Sequence, residues 1–205
     1  MEIAIVGSGQ VGTALAGALR RAGHEVAFGV RAPMAGRPDQ ASVGEAASRA
    51  DATILAVPFA AAADVIEAAG GFAGKILIDA TNPLGVGEGG LGLTIGFATS
   101  GAEQIAAMAP RARVFKTFNQ TGFENMADAR AYSVRPVMFV AGDDAAGKAA
   151  VLALVADTGF DAVDAGGLRA ARLLEPLAML WIELARKRGL GGDFVFSLQR
   201  KTRNG

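Results

Sequence analysis

The run "EIAIVGSGQVG" (residues 2–12) restricts the fold more than any other part of the chain. "EIAIV" is short, apolar and rich in β-branched residues, as expected of a strand covered on both faces. Gly7, Gly9 and Gly12 follow it directly in G-x-G-x-x-G spacing. Val11, Leu15, Ala18, Leu19 and Ala22 then recur at helical intervals, and Gly23 is placed to end that helix. "EVAFGV" (25–30) is a second strand, which completes a β-α-β unit of about thirty residues. In a chain with 28 glycines the spacing alone carries little. Its position between a strand and a helix is the context that gives it meaning.

The same alternation continues. "ATILAV" (52–57), "KILIDA" (75–80), "RVFKTF" (113–118) and "VMFVAG" (137–142) read as strands, with helices around 41–50, 60–69, 101–109 and 145–157. Ser100 and Glu103 have capping-box spacing for the third of these helices. Parallel neighbours need crossover connections, so the pattern predicts an α/β fold with a Rossmann-type, doubly wound, mostly parallel sheet. A short C-terminal helical element is expected from about residue 166. Its helix runs from about Arg169 to Arg188 with Leu173, Leu177, Leu180, Trp181 and Leu184 on one face, and Pro176 bends it or marks its first turns. No linker divides residues 1–205, which read as a single domain. "PLGVGEGGLGLTIG" (83–96) holds six glycines and no helical period. It reads as a loop that closes over a ligand or as a disordered connection.

The glycine turn predicts a dinucleotide site. Gly7 allows the tight turn, Gly9 lets the backbone approach a pyrophosphate, and Gly12 lets the helix pack close to the strand. Ser8, Gln10 and Val11 complete the cradle, whose free amides at the helix start receive negative charge. An acid about 20 residues after the motif selects NAD by bonding the ribose hydroxyls. Here Val30-Arg31 stands at that place, and a guanidinium suits a 2′-phosphate instead. The expected cofactor is NADP(H). Arg37, beyond the "APMAG" loop, is a second candidate cation for the same phosphate.

Several motifs now occur in order: "GSGQVG", "GVR", "AVPF" (56–59), "DATNPL" (79–84), "TFNQTGFENM" (117–126) and "RLLEPLAMLWIELA" (172–185). Across nearly its whole length the chain resembles the NADP oxidoreductases related to coenzyme F420-dependent NADP reductase. The cytosolic domains of six-transmembrane metalloreductases are similar. The resemblance implies a Rossmann domain that is often dimeric, with NADP over the glycine turn. The nicotinamide then extends toward Val57, Pro58 and Phe59, toward Ala80, Thr81 and Asn82, and toward the loop after "KTFN". In the deazaflavin enzymes a flavin-like ring stacks near the nicotinamide and exchanges hydride with it directly. Those enzymes carry a histidine at the position of Asn119, and Ser-Arg at the position of Val30-Arg31. Asn119 can donate through its amide but does not titrate near neutrality. It is the candidate residue of the acceptor pocket, with Gln120 and Thr121 beside it and Phe118 and Phe59 as candidate walls.

Composition narrows the rest. Twenty basic and twenty acidic residues cancel and form no basic cluster, so nucleic acid is not an expected partner. With no cysteine and only His24, thiol chemistry and a metal site are not expected. His24 reads as a turn residue at the end of the sheet away from the ligand crevice. Neither a signal peptide nor a membrane span is legible, and the expected location is cytoplasmic. The first functional reading is hydride transfer between NADPH and a small planar acceptor, with coenzyme F420 or another flavin as co-substrate. The alternatives are a carbonyl or imine reductase with Lys116 as proton donor, a metal-chelate reductase, and a non-catalytic NADPH-binding redox sensor. Lys116 otherwise reads as a strand lysine reaching sideways to solvent, and Arg169 and Arg172 as a solvated face. The apolar stripe ending at Leu184, together with the tail "DFVFSLQR" (193–200), offers a homodimer surface.

Overall fold

A computed structural model describes residues 1–201. The strands are β1 (Glu2–Val6), β2 (Glu25–Val30), β3 (Gln40–Ser42), β4 (Ala52–Leu55), β5 (Ile76–Asp79), β6 (Leu84–Gly87), β7 (Gly90–Leu93), β8 (Arg113–Lys116), β9 (Val137–Gly142) and β10 (Asp161–Asp164). The helices are α1 (Gln10–Arg21), α2 (Val43–Arg49), α3 (Ala62–Ala68), α4 (Gly101–Met108), α5 (Phe123–Ala127), α6 (Ala145–Asp157) and α7 (Ala171–Ile182). A π-helical turn, Glu183–Lys187, extends α7.

Eight strands form one sheet in the order β10-β9-β8-β5-β4-β1-β2-β3. All pairings are parallel except β8 with β9. The run β3-β2-β1-β4-β5-β8 is the doubly wound order, and it reverses between β1 and β4. Register aligns the ends of five strands: Val6, Leu55, Asp79 and Lys116, each the last residue of its strand, lie in one row with Gly29, the last but one of β2. Every loop expected to meet a ligand therefore leaves from one edge.

Both faces are covered, as the unbroken apolar strands require. One core joins Ile3, Ile5, Ile54, Ile78 and Phe115 to Leu15 and Leu19 of α1 and to Val151 and Leu154 of α6. The other joins Val6, Leu55, Leu77 and Val114 to α3, α4 and the start of α7 through Ile66, Ile105 and Ala171. Each fully buried Leu or Ile contributes about 1.5–3 kcal/mol relative to exposure. Among the described residues no helix is long and apolar enough to cross a membrane.

Four departures from the sequence reading concern strand ends, short elements, the glycine-rich segment and the inner face of α7. The strand patterns of β4, β5 and β8 end two, one and two residues early. β3, β10 and α5 were not legible. The glycine-rich segment is an antiparallel hairpin, β6 with β7, rather than an unstructured loop. Thr94 ties its base shut by donating both N–H and Oγ1 to the Pro83 carbonyl, at 2.8 and 3.0 Å. In α7 the buried residues are Ala171, Leu174, Glu175, Ala178 and Trp181, and Leu173 is 72% exposed. Pro176 lies in the helix interior. The inner face of α7 is thus a mix of small and large side chains that includes Trp181 of the expected stripe, while Leu177 and Leu184 are half-buried and Leu173 and Leu180 face outward.

The tail is likewise engaged with its own chain. The Trp181 ring stacks on Phe194 at 5.1 Å and its Nε1 donates to the Phe194 carbonyl at 3.0 Å. The amide of Val137 donates to the Phe196 carbonyl at 2.9 Å.

Candidate active site

The crevice opens where the strand order reverses. Gly7 has φ +112°, and a Cβ there would stand 2.3 Å from the Ala56 carbonyl oxygen, so the turns after β1 and β4 touch. A Cβ on Gly12 would fall 1.9 Å from the Gly7 carbonyl oxygen, which is the close helix-to-strand approach expected of it. Around Gly9 a Cβ would meet nothing within 4 Å. That emptiness, on a surface with Ser8 and Gln10 exposed, is a cradle shaped for a ligand rather than for a side chain. The start of α1 has no side-chain cap and no acid in its first turn, which leaves its amides for an anion.

Arg31 is exposed at the end of β2, beside this turn, and has no salt-bridge partner among the described residues. Val30 beside it is half-buried. Arg37 behaves differently. Its Nε and Nη2 donate to the two carboxylate oxygens of Asp39 at 3.0 and 3.3 Å, where Arg20 also reaches Oδ2 at 3.4 Å. The Arg37 guanidinium holds Asp39 below the usual carboxylate range, and Arg37 is engaged at the start of β3 rather than beside Arg31. His24 stands at the opposite end of the sheet, with Nε2 3.2 Å from Asp157.

On the other side of the reversal lie Val57, Pro58 and Phe59, all partly or fully exposed, then Ala80, Thr81 and Asn82, then Asn119. Asn82 Nδ2 donates to the Asn119 carbonyl at 3.0 Å, and Asn119 Nδ2 donates back to Asn82 Oδ1 at 3.0 Å and to the Leu174 carbonyl at 3.1 Å. Asn119 Oδ1 accepts from Gln120 Nε2. Asn119 is thus a buried brace under the half-buried Asn82, with both amide hydrogens engaged. Gln120 is engaged too, trading hydrogen bonds with the Phe139 backbone at 3.0 and 2.9 Å. The chain reaches this arrangement through Phe118, fully buried at φ +59°. A bulky residue there is strained by about 1–3 kcal/mol, a cost held at functional loops by the packing around them.

Lys116 corrects the sequence reading most sharply. It is 0% exposed, not solvent-seeking. Its Nζ donates to Asp79 Oδ2 at 2.8 Å and to the Thr81 carbonyl at 2.6 Å, and lies 3.1 Å from Glu175 Oε1. Glu175 in turn accepts from the amides of Gly101 and Ala102 at 2.9 and 3.1 Å, at the start of α4. Asp79 Oδ1 accepts from the Thr81 amide at 2.8 Å. Asp79 and Glu175 were missed, although a lysine and an aspartate ending two apolar strands and a glutamate inside an apolar helix were visible signals. Arg172 is also paired rather than solvated, donating to both oxygens of Glu103 at 2.8 and 2.7 Å. Arg169, Arg172, Phe97, Leu173 and Pro176 line an open apolar groove of about 930 Å³.

A dinucleotide fits this edge. The glycine cradle and unclaimed α1 amides would take the pyrophosphate, Arg31 a phosphate on the adenosine side, and the β4–β5–β8 loops the other half. The Thr81 hydroxyl, buried without a protein partner, is a further uncommitted polar group at that end.

Known proteins agree in kind. The family "NADP oxidoreductase coenzyme F420-dependent" matches residues 2–83. A crystal structure from Arthrobacter sp. FB24, described as a candidate F420-dependent NADP reductase, is 34% identical with a TM-score of 0.88, and the match covers 98% of this chain and 100% of that one. A hypothetical protein from Sinorhizobium meliloti is 27% identical with a TM-score of 0.72, over 83% of this chain and 87% of that one. A reductive aminase from Aspergillus terreus, 20% identical over 92% of this chain and 62% of its own, shares the fold with a TM-score of 0.66. No curated protein matches the sequence.

Proposed function

The chain belongs to the family of coenzyme F420-dependent NADP oxidoreductases, and from that membership we propose that this NADP-dependent oxidoreductase passes a hydride between NADPH and a planar flavin-type acceptor such as coenzyme F420. One observation carries the acceptor class. At the nicotinamide side of the crevice every ionisable side chain is engaged, and Lys116 is held by two hydrogen bonds and an ion pair, which leaves the Thr81 hydroxyl as the uncommitted polar group. Such a site positions and dries two rings but offers no free acid. Hydride exchange needs little else, since the coenzyme supplies the reacting carbon and the protein supplies alignment.

In this reading Gly7, Ser8, Gly9, Gln10, Val11 and Gly12 hold the pyrophosphate, and Val30 and Arg31 the adenylate end. Val57, Pro58, Phe59, Ala80, Thr81 and Asn82 form the bed of the nicotinamide half. Asn119 acts on the acceptor pocket through Asn82, which it orients. A carbonyl or imine reductase using Lys116 as proton donor is disfavoured because that ammonium faces two carboxylates and a carbonyl. The outward stripe of α7 and the adjoining groove support a homodimer.

The test is a panel: NADPH with deazaflavin, FMN, ferric chelates, ketones and imines, followed by loss of NADPH absorbance. Turnover restricted to flavin-type rings is expected. Turnover of ketones or ferric chelates alone would replace this acceptor, and tight NADPH binding without turnover would make the protein a sensor. Separately, Arg31→Ala should weaken NADPH by about tenfold, the order of one lost charge-assisted contact, with little change for NADH. Equal losses for both coenzymes would remove the case for 2′-phosphate recognition.

A further inference from the structure

We infer that Lys116, Asp79 and Glu175 form a buried positioning cluster that sets the geometry of the nicotinamide half of the site, an inference that rests on the coenzyme reading above. Asp79 and Lys116 are cross-strand neighbours in the last paired row of β5 and β8. Their side chains point to the face covered by α4 and α7, beyond the apolar pair Leu77 and Val114. All three ionisable side chains are essentially solvent-free, at 0%, 0% and 1% exposure.

Stability does not account for such a group. Buried ion pairs are often no better than apolar residues of equal volume, because desolvation offsets their attraction. What the cluster does is fix positions. Lys116 and Asp79 together seize both backbone groups of Thr81, the amide through Asp79 Oδ1 and the carbonyl through Nζ. Asn82 follows directly. Glu175 joins the same ammonium to α7 and, through the Gly101 and Ala102 amides, to α4. A Cβ on Gly101 would lie 3.0 Å from the Phe59 ring and 3.1 Å from Glu175 Oε1, so the turn after β4 abuts the cluster as well. Three crevice segments from β4, β5 and β8, together with α7, thus share one hub. The adenylate end, at the opposite side of the reversal, has no bond to it.

That asymmetry supplies the test, which needs no acceptor. Calorimetric titration of Lys116→Met and Glu175→Gln with NADPH and with adenosine 2′,5′-bisphosphate compares the whole coenzyme with its adenylate half. The Glu175→Gln change keeps the size of the side chain, but a single amide oxygen cannot serve two backbone amides and an ammonium together. The expected result is NADPH weakened by about tenfold, the order of one aligned hydrogen-bonding group, with the bisphosphate unchanged. A purely structural role lowers the folded fraction and weakens both ligands alike. Parallel losses, or no loss for NADPH, would overturn the inference. If Lys116→Met does not fold by circular dichroism, the Glu175→Gln comparison decides. Failure of the unaltered protein to bind NADPH would instead remove the coenzyme reading itself.

Discussion

Gly9 and Gly12 sit three residues apart in one turn, yet they answer to different constraints. A methyl group on Gly12 would collide with the Gly7 carbonyl, whereas one on Gly9 would enter open space, and Gly9 has an ordinary extended φ of −75°. Gly12→Ala should therefore destabilise the fold by about 1–3 kcal/mol, as overpacking does, which thermal unfolding reads directly. Gly9→Val should leave the melting temperature unchanged and abolish NADPH binding. A Gly9→Val protein that binds as before would show that no pyrophosphate lies over that turn. The three glycine roles were legible in the sequence because each follows from covalent geometry within a few residues. Lys116 was misread for the opposite reason: what makes it buried are Asp79 and Glu175, 37 and 59 positions away in a chain whose strand order had yet to be known.

The elements that periodicity predicts are the long ones, and α1 and α6 match their predicted spans closely. β3, β10 and α5 have three to five residues, too few for a period of 2.0 or 3.6 to declare itself, and unlike the equally short β4, β5 and β8 they lack a run of adjacent bulky apolar residues. The Ser100–Glu103 spacing marks the start of α4 but closes only half of a capping box: Ser100 Oγ accepts from the Glu103 amide at 3.2 Å and donates to its carboxylate at 2.7 Å, whereas the reciprocal pair forms at Ser42 and Glu45 at the start of α2. The sequence did not reveal that Arg172 at the start of α7 clamps the Glu103 carboxylate. The Arg172 guanidinium, more than Ser100, holds Glu103 below the usual carboxylate range against the opposing effect of burial. A depressed native pKa contributes stability that is present above the unfolded glutamate's pKa and fades as pH falls through the native one. Arg172→Ala should therefore lower the melting temperature at neutral pH, and the gap to the parent protein should close on acidification. A gap that stays constant through the acid range would mean the pair contributes only uncharged packing.

At the scale of the molecule, the surface left over by α7 becomes informative. Its inner residues Ala171, Leu174, Glu175, Ala178 and Trp181 are buried, so Leu173 and Leu180 project outward, at 72% and 49% exposure. Phe97, fully exposed at φ +56°, borders the same groove, and Val86 of the adjacent hairpin is exposed as well. An apolar groove lined by Phe97 and Leu173 beside Arg169 and Arg172 has the make-up of an interface core with a polar rim. The tail cannot be its cover, because Phe194 is stacked on Trp181 and Asn125 Nδ2 donates to the Gly192 and Phe194 carbonyls. In the proposed homodimer a second copy of the chain, applying the same stripe by two-fold symmetry, would cover it without any further component. Light scattering should then give a dimer for the parent protein. Leu173→Asp combined with Leu180→Asp should give a folded monomer, since both side chains already face water in the single chain. NADPH should still bind that monomer, because the glycine turn and Arg31 lie on the far side of the sheet order from α7. A parent protein that scatters as a monomer at micromolar concentration would leave the stripe without this role.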